Sequence, residues 1–288
     1  MPTLYIVATP IGNLEDISMR ALRVLGEVDF ILCEDTRVTR VLLDRYNIKT
    51  RTISYHQHSN ENKVSEIINL LIQGKNLALV SDAGTPGISD PGGKLVQAVL
   101  EKFGSEIYPV KSPLKRGAEQ FYGVNPVKSR SAGITPEAEL FDGVKIESVP
   151  GPSAVTAALS ISGIPTDKFI FLGFPPHKKG RQTFIRKILV SDYPVVVYES
   201  KHRIVKFLQE LQEAVEKNLV VDGEKANQEL GIRNNGKGKT PSLTSVVVCR
   251  ELSKMHETVY RGDLKSIMEK IKLNKNDQKG EFVVIIGK

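Results

Sequence analysis

Four times in the first hundred residues a short apolar run of strand composition gives way to an amphipathic stretch with helical spacing. That alternation leaves few options. Each helix has to carry the chain back to begin the next strand, which builds an α/β domain around a largely parallel sheet. The first strand is expected over Leu4 to Ala8, followed by a helix that Ser18 caps and that ends near Gly26. A strand over Val28 to Cys33 then leads to a helix capped by Thr36 and ending near Asn47. Thr50 to Tyr55 is the third strand, and the next helix starts at Ser59 or Asn60, carries Val64, Ile67, Ile68, Leu71 and Ile72 on one face and stops at Gly74. Leu77 to Val80 closes the series, and Asp90-Pro91 is an N-cap followed by proline at the first position of a helix to about Phe103.

The pattern breaks between about 104 and 143, a stretch rich in Pro, Gly, Ser and Lys, and resumes with a strand over Val144 to Val149. A second α/β half follows, with a small-residue helix over Ala154 to Ser162. Its strands are expected at Phe169 to Leu172, Val195 to Tyr198, Ser245 to Cys249 and Phe282 to Ile286, and its further helices near Arg181 to Leu189, His202 to Val215 and Leu264 to Ile271. A second irregular excursion spans about 216 to 243. The expected organisation is two α/β domains, 1–151 and 152–288, each carrying one of these insertions.

At 288 residues, with 40% hydrophobic and 25% charged, the chain can bury one or two ordinary cores. No apolar run approaches the ~20 residues that span a bilayer, and the opening Met1-Pro2-Thr3-Leu4-Tyr5-Ile6-Val7 lacks a basic n-region and a small-residue cleavage site. A cytoplasmic protein without membrane contact is expected. Cys33 and Cys249, the only cysteines, sit inside strand-like runs, so they are expected as buried thiols and a four-cysteine metal site is ruled out. The net charge of +7 is suited to a polyanionic partner, because Lys and Arg on phosphates release condensed counterions.

Chemistry-bearing residues gather where strands end. Ser81-Asp82-Ala83-Gly84-Thr85-Pro86-Gly87-Ile88-Ser89-Asp90-Pro91-Gly92-Gly93 is either a ligand-binding loop at the carboxyl end of a strand or an ordinary β–α connection. It is not a P-loop, since Gly93-Lys94 is followed by Leu95. Gly151-Pro152-Ser153-Ala154-Val155 lacks the last glycine of a nucleophile elbow, and both Pro150-Gly151-Pro152-Ser153-Ala154 and Ala8-Thr9-Pro10-Ile11-Gly12-Asn13 have tight-turn character. Three such turns on one sheet could converge on one crevice. Cys33-Glu34-Asp35-Thr36-Arg37-Val38-Thr39-Arg40 could grip phosphate and orient a hydroxyl. Alternatively, Asp35 or Thr36 caps a helix and Arg37 pairs with Glu34. Tyr198-Glu199-Ser200-Lys201-His202-Arg203 and Arg250-Glu251-Leu252-Ser253 repeat the arrangement, whereas His56-Gln57-His58 has no third ligand at metal spacing and is expected as polar loop surface.

Taken in order, the segments at Ala8–Leu14, Cys33–Arg37, Ser81–Gly92, Pro150–Ala154, Tyr198–Ser200 with His202-Arg203, Arg250–Leu252 and Lys279–Glu281 resemble the signatures of the bacterial 16S rRNA ribose-2'-O-methyltransferase family, a branch of the tetrapyrrole methylase superfamily. The resemblance implies a homodimer that binds S-adenosylmethionine as co-substrate between two α/β domains and methylates a cytidine ribose in the decoding centre of the 16S rRNA or the 30S subunit. It implies cofactor contacts from Pro10, Ile11, Asp82, Gly84, Thr85, Ser153, Ala154, Tyr198 and Arg250. The same superfamily holds precorrin methylases and diphthine synthase, so a small-molecule or protein acceptor is the alternative. The two excursions depart from the family pattern. The first carries Lys111, Lys115, Arg116, Lys128 and Arg130, and is either an RNA-contacting arm or a tolerated surface insertion. Methyl transfer from a sulfonium is an in-line displacement with no metal requirement, and it is helped by positioning, a base and a cation. Glu34, Asp35 and Glu199 are the candidate bases, and Arg37 and Lys201 the candidate stabilisers.

Overall fold

The computed structural model describes residues 1–56, 59–104, 143–216 and 245–287. His58, the five cations of the first excursion and nearly all of both excursions lie outside the described residues. The chain divides into two compact units, one formed by 1–7, 20–82 and 90–149, the other by 8–19, 83–89 and 150–288.

The first unit is built on a five-stranded sheet of β1 (Thr3–Val7), β2 (Phe30–Cys33), β3 (Arg51–Ser54), β4 (Leu77–Leu79) and β5 (Lys145–Val149). All of its pairings are parallel, in the order β3-β2-β4-β1-β5. The helices α1 (Met19–Glu27), α2 (Thr36–Arg45), α3 (Glu61–Ile72) and α4 (Gly92–Phe103) make the returns. Leu4, Leu32, Leu77 and Leu79 pack with Ile67, Leu71, Leu95 and Val99 in one core cluster. Burying each such side chain contributes on the order of 2 kcal/mol.

Helix starts follow local polar chemistry. Asn60 caps α3 by accepting from Lys63 N at 3.1 Å. The cap of α2 is Asp35 rather than Thr36, because the aspartate carboxylate reaches the Arg37 N–H at 2.8 Å. At α4 the helix begins one residue later than the proline pattern suggested. Asp90 Oδ1 still accepts from Gly92 N at 2.7 Å, with Pro91 in the cap position.

The second unit carries β6 (Ile170–Phe171), β7 (Val195–Ser200), β8 (Val246–Arg250), β9 (Thr258–Gly262) and β10 (Glu281–Ile286), ordered β6-β7-β10-β8-β9. Only the β6–β7 pair is parallel. Strand β9 lacks the continuous apolar run that marks β8 and β10, and as an edge strand it is half-exposed. The remaining helices are α5 (Ala154–Ser162), α6 (Arg181–Val190), α7 (Ile204–Glu216) and α8 (Leu264–Leu273).

Alternation along β7, β8 and β10 sends side chains to two different cores. Val195 and Val197 join Phe207, Leu211 and Ile267, whereas Val196 joins Val155, Ala158 and Leu159 of α5. Both cysteines are buried, and burial pushes the Cys249 thiol up to about 11. No helix among the described residues is long and apolar enough to cross a membrane.

Candidate active site

In the second unit three turns bond to one another. Thr9 N donates to the Gly84 carbonyl at 2.9 Å, and Gly84 N donates back to Thr9 O at 3.0 Å. Strand order explains the meeting, since β1 and β4 are neighbours and so are the turns that leave them. The third turn follows β5, the other neighbour of β1, and Thr85 Oγ1 donates to the Pro152 carbonyl at 3.1 Å. A Cβ on Gly151 would lie 3.1 Å from the Ala8 Cβ, so the backbones approach closely there. Gly84 has φ +82°, a conformation that glycine adopts without steric cost, and its missing side chain faces Ile11.

These turns open onto the start of α5. Ser153 is its N-cap residue, yet its hydroxyl makes no capping bond. The phenol of Tyr198 instead hydrogen-bonds the Val155 backbone, and burial pushes that phenol up to about 12. Ile11, Ala154 and Tyr198 pack against a single apolar cluster with Phe171. The rings of Phe171 and Phe174 stand 4.9 and 5.4 Å from the Tyr198 ring.

The structure thus brings together Pro10, Ile11, Gly84, Thr85, Ser153, Ala154 and Tyr198, all on or beside the bonded turns. S-adenosylmethionine suits such a set. It has a flat purine for an apolar wall of Ile11, Ala154 and Tyr198, and a charged amino-acid end for backbone N–H and C=O groups left reachable by glycine and small residues.

The remaining predicted residues have other partners. Tyr198 and Glu199 are consecutive on β7 and point to opposite faces of the sheet. Glu199 is buried, 3.0 Å from Arg203 and 3.9 Å from Arg181, and accepts from Ser200 N at 2.7 Å. Lys201 is exposed in the turn after β7. Arg250 is buried, and its guanidinium donates to the carbonyls of Lys279, His256 and Asn276 at 2.8, 3.0 and 2.8 Å. It staples the 274–280 loop to β8.

In the first unit β2 and β4 are neighbours, and carboxylates gather at their ends. Asp82 Oδ1 accepts from Asp35 N at 3.1 Å. Glu34 is held above the usual carboxylate range, first by burial and then by the charges of Asp82 and Asp90. Arg37 pairs with Asp35 and not with Glu34, through bonds of 3.0 and 2.6 Å, and this pairing lowers the Asp35 carboxyl to about 2. Among the described residues no group of three or more His, Cys, Asp or Glu is arranged to hold a metal ion.

The sequence singled out Arg250–Ser253 as a charged strand end but did not reveal what the turn Glu251–Lys254 packs against. A Cβ on Gly12 would meet Lys254 Cγ at 2.4 Å and the Leu252 carbonyl at 3.0 Å, so this turn buttresses the first of the three. Glu251 and Ser253 adopt φ values of 53° and 60°, which are strained for side-chain-bearing residues and invisible to composition.

The sequence model of the tetrapyrrole (corrin/porphyrin) methylases matches residues 3–110 and 134–268. The chain is 35% identical to ribosomal RNA small subunit methyltransferase I of a Hydrogenobaculum species, over 99% of this chain and 95% of that one. Its identity to the protein of the same name from Thermotoga maritima is 33%, over 100% and 99%. The Vibrio cholerae protein of that name is 37% identical, over 99% of this chain and 77% of its own. Among solved structures, the methyltransferase CobJ superposes with a TM-score of 0.57 at 15% identity, covering 100% of this chain and 94% of its own. Uroporphyrin-III C-methyltransferase of Thermus thermophilus, in complex with S-adenosylhomocysteine, gives 0.53 at 16%, covering 99% and 97%. At those identities the likeness is one of fold.

Proposed function

The chain belongs to the tetrapyrrole methylase family, in the group of the small-subunit ribosomal RNA methyltransferases I, and on that premise we propose that it methylates a cytidine ribose 2'-hydroxyl in the decoding centre of 16S rRNA. It is an S-adenosylmethionine-dependent rRNA methyltransferase. The observation that carries the reading is the mutual bonding of the turns after β1, β4 and β5 at the start of α5, beside an aromatic wall.

In this reading Pro10, Ile11, Gly84, Thr85, Ser153, Ala154 and Tyr198 hold the cofactor, with Asp82 beside them in sequence. Arg250 acts at a distance, by bracing the loop against β8. Bound S-adenosylmethionine supplies an electrophilic methyl group on a sulfonium. The chain's own residues do the rest. The small-residue turns orient the cofactor, the apolar wall excludes water, and alignment of the acceptor oxygen contributes on the order of 7–11 kcal/mol by removing translational and rotational freedom.

A ribose hydroxyl gives up its proton reluctantly. Glu34, held above the usual carboxylate range, is the group suited to take it at its carboxylate oxygen. Glu199 is a brace for Arg203 and Arg181 instead. Lys201 and Arg37, the latter exposed although paired with Asp35, are cations open to an RNA phosphate. The net charge of +7 supports RNA over a tetrapyrrole as acceptor. We further propose a cytoplasmic homodimer, which sedimentation of the purified protein tests.

The deciding experiment incubates the protein with methyl-labelled S-adenosylmethionine and either 30S subunits or free 16S RNA, then maps the modified nucleotide. Label on a decoding-centre cytidine ribose is the expected result. Tight cofactor binding with no label in RNA would move the acceptor elsewhere.

A further inference from the structure

Residues 173–181, from just after β6 to the first residue of α6, read Gly-Phe-Pro-Pro-His-Lys-Lys-Gly-Arg, and two arginines, Arg181 itself and Arg203, bond to the backbone of this segment. Arg203 Nη1 donates to the Pro175 carbonyl at 3.1 Å, and Arg181 Nη1 donates to the Pro176 carbonyl at 3.0 Å. Both guanidiniums are neutralised internally, Arg203 by Glu199 at 3.0 Å and Arg181 by Glu210 at 2.6 Å. Buried Arg181 and partly buried Arg203 each therefore face a carboxylate, and the field above the loop comes from its outer residues.

Two of those outer residues are lysines. His177, Lys178 and Lys179 are exposed, and among the described residues neither lysine has an ion-pair partner. Lys201 and His202, also exposed, lie in the turn that Arg203 ties to the same loop. Beside them Phe174 is 51% exposed, with its ring tilted 60° against Tyr198. Tyr198 N donates to the Gly173 carbonyl at 3.0 Å, so ring and backbone are both registered on β7.

An exposed aromatic fixed beside unpaired lysines is the combination that grips single-stranded RNA, a ring face for a base and ammonium groups for the flanking phosphates. Pro175 and Pro176 restrict the loop before any partner arrives, which lowers the ordering cost of binding.

We propose that loop 173–181 is a docking surface for an unpaired segment of the RNA substrate, with Phe174 stacking on a base and Lys178 and Lys179 contacting phosphates. The inference rests on the rRNA methyltransferase reading. The Arg203–Glu199 and Arg181–Glu210 pairs are the frame that shapes the loop, and they make no contact with RNA.

The test compares full-length wild type with Lys178→Gln/Lys179→Gln and with Phe174→Ala. Affinity for 30S subunits and for deproteinised 16S RNA is measured across a salt series, alongside S-adenosylmethionine affinity by calorimetry and thermal unfolding by circular dichroism, the latter as the check on folding. The double variant is expected to flatten the slope of log affinity against log salt by about 1.4, at ~0.7 per lost single-strand contact. Phe174→Ala is expected to weaken binding on the order of tenfold at every salt concentration with an unchanged slope.

A wild-type slope in the double variant would overturn the phosphate contacts. Weakened binding to 30S with unchanged binding to free 16S RNA would point to a ribosomal protein and overturn the RNA assignment. Loss of cofactor affinity in Phe174→Ala with RNA affinity retained would give the ring to the cofactor and overturn the stacking role. If wild type itself neither binds nor methylates either RNA, the rRNA reading fails first, and that result is distinct from all three.

Discussion

Two strand ends that look alike in sequence, Cys33-Glu34-Asp35-Thr36-Arg37 after β2 and Tyr198-Glu199-Ser200-Lys201-His202-Arg203 at the end of β7, have opposite electrostatic fates. At the first, Glu34 lies near Asp82 and Asp90, and the nearby Arg37 is bonded to Asp35. At the second, Glu199 is buried between Arg203 and Arg181. One carboxylate is left with like charges and a raised affinity for a proton. The other is compensated and inert. Composition of a strand end therefore does not define its chemistry; the partner strand and the facing helices do.

If that contrast is right, the largest effect belongs to Glu34. Glu34→Gln is expected to slow methylation by roughly 10²- to 10⁴-fold, the usual range for loss of a general base. Stability and cofactor affinity should stay near wild type. Unchanged single-turnover rates would remove Glu34 from the reaction and leave positioning alone.

Glu199→Ala should do the reverse. It leaves the Arg203 guanidinium without its counter-charge and takes away the second carboxylate facing buried Arg181, and a loss of about 3–5 kcal/mol is expected from urea unfolding. Cofactor affinity of the fraction that remains folded should hardly change, because Glu199 and Tyr198 face opposite sides of the sheet. A variant as stable as wild type would mean that the buried arginines are satisfied by the Pro175 and Pro176 carbonyls and Glu210 alone.

A smaller effect tests the carboxylate cluster directly. In Asp82→Asn the Glu34 titration, followed by carboxyl NMR, should shift down towards its ordinary 4.5, since one of the two repelling charges is gone while burial persists. The sign in wild type follows from linkage. The folded state holds this proton more tightly than the unfolded chain, so Glu34's contribution to stability is present below 4.5 and is lost as pH rises through its folded value.

Asp35 provides the mirror case and the smallest effect. Its carboxyl is depressed from 3.8 to about 2 by Arg37, so its contribution is present above 3.8 and disappears as pH falls towards 2. Asp35→Asn retains a helix cap but loses the ion pair. The stability difference between the two proteins should therefore vanish on acidification through that window, and a difference that persists at pH 2 would assign it to the cap.

Much of the secondary structure was legible because it is set by local physics. Asn60 and Gly74 bracket α3 through a cap bond and a left-handed exit. The spacing of Ile204, Phe207, Leu208 and Leu211 makes α7 amphipathic. Strand β9 went unread because an edge strand needs no buried run. The Thr36 cap was displaced to Asp35 because two adjacent residues can each cap, and only the backbone path decides which side chain reaches the N–H.

The candidate site divides in the same way. Small, turn-forming residues at Thr9–Gly12, Gly84-Thr85 and Gly151–Ala154 were recognisable one segment at a time, since tight turns and close backbone approach demand them. Their mutual bonding was decided by strand order, which puts β4 and β5 on either side of β1 and thereby seats Thr9 on Gly84 and Gly151 on Ala8. Tertiary structure also decided that Glu199 and Arg250 turn inward. Whether a charged side chain serves chemistry or packing depends on which face of its strand it leaves from and on the groups it meets there, and both are set by non-local pairing.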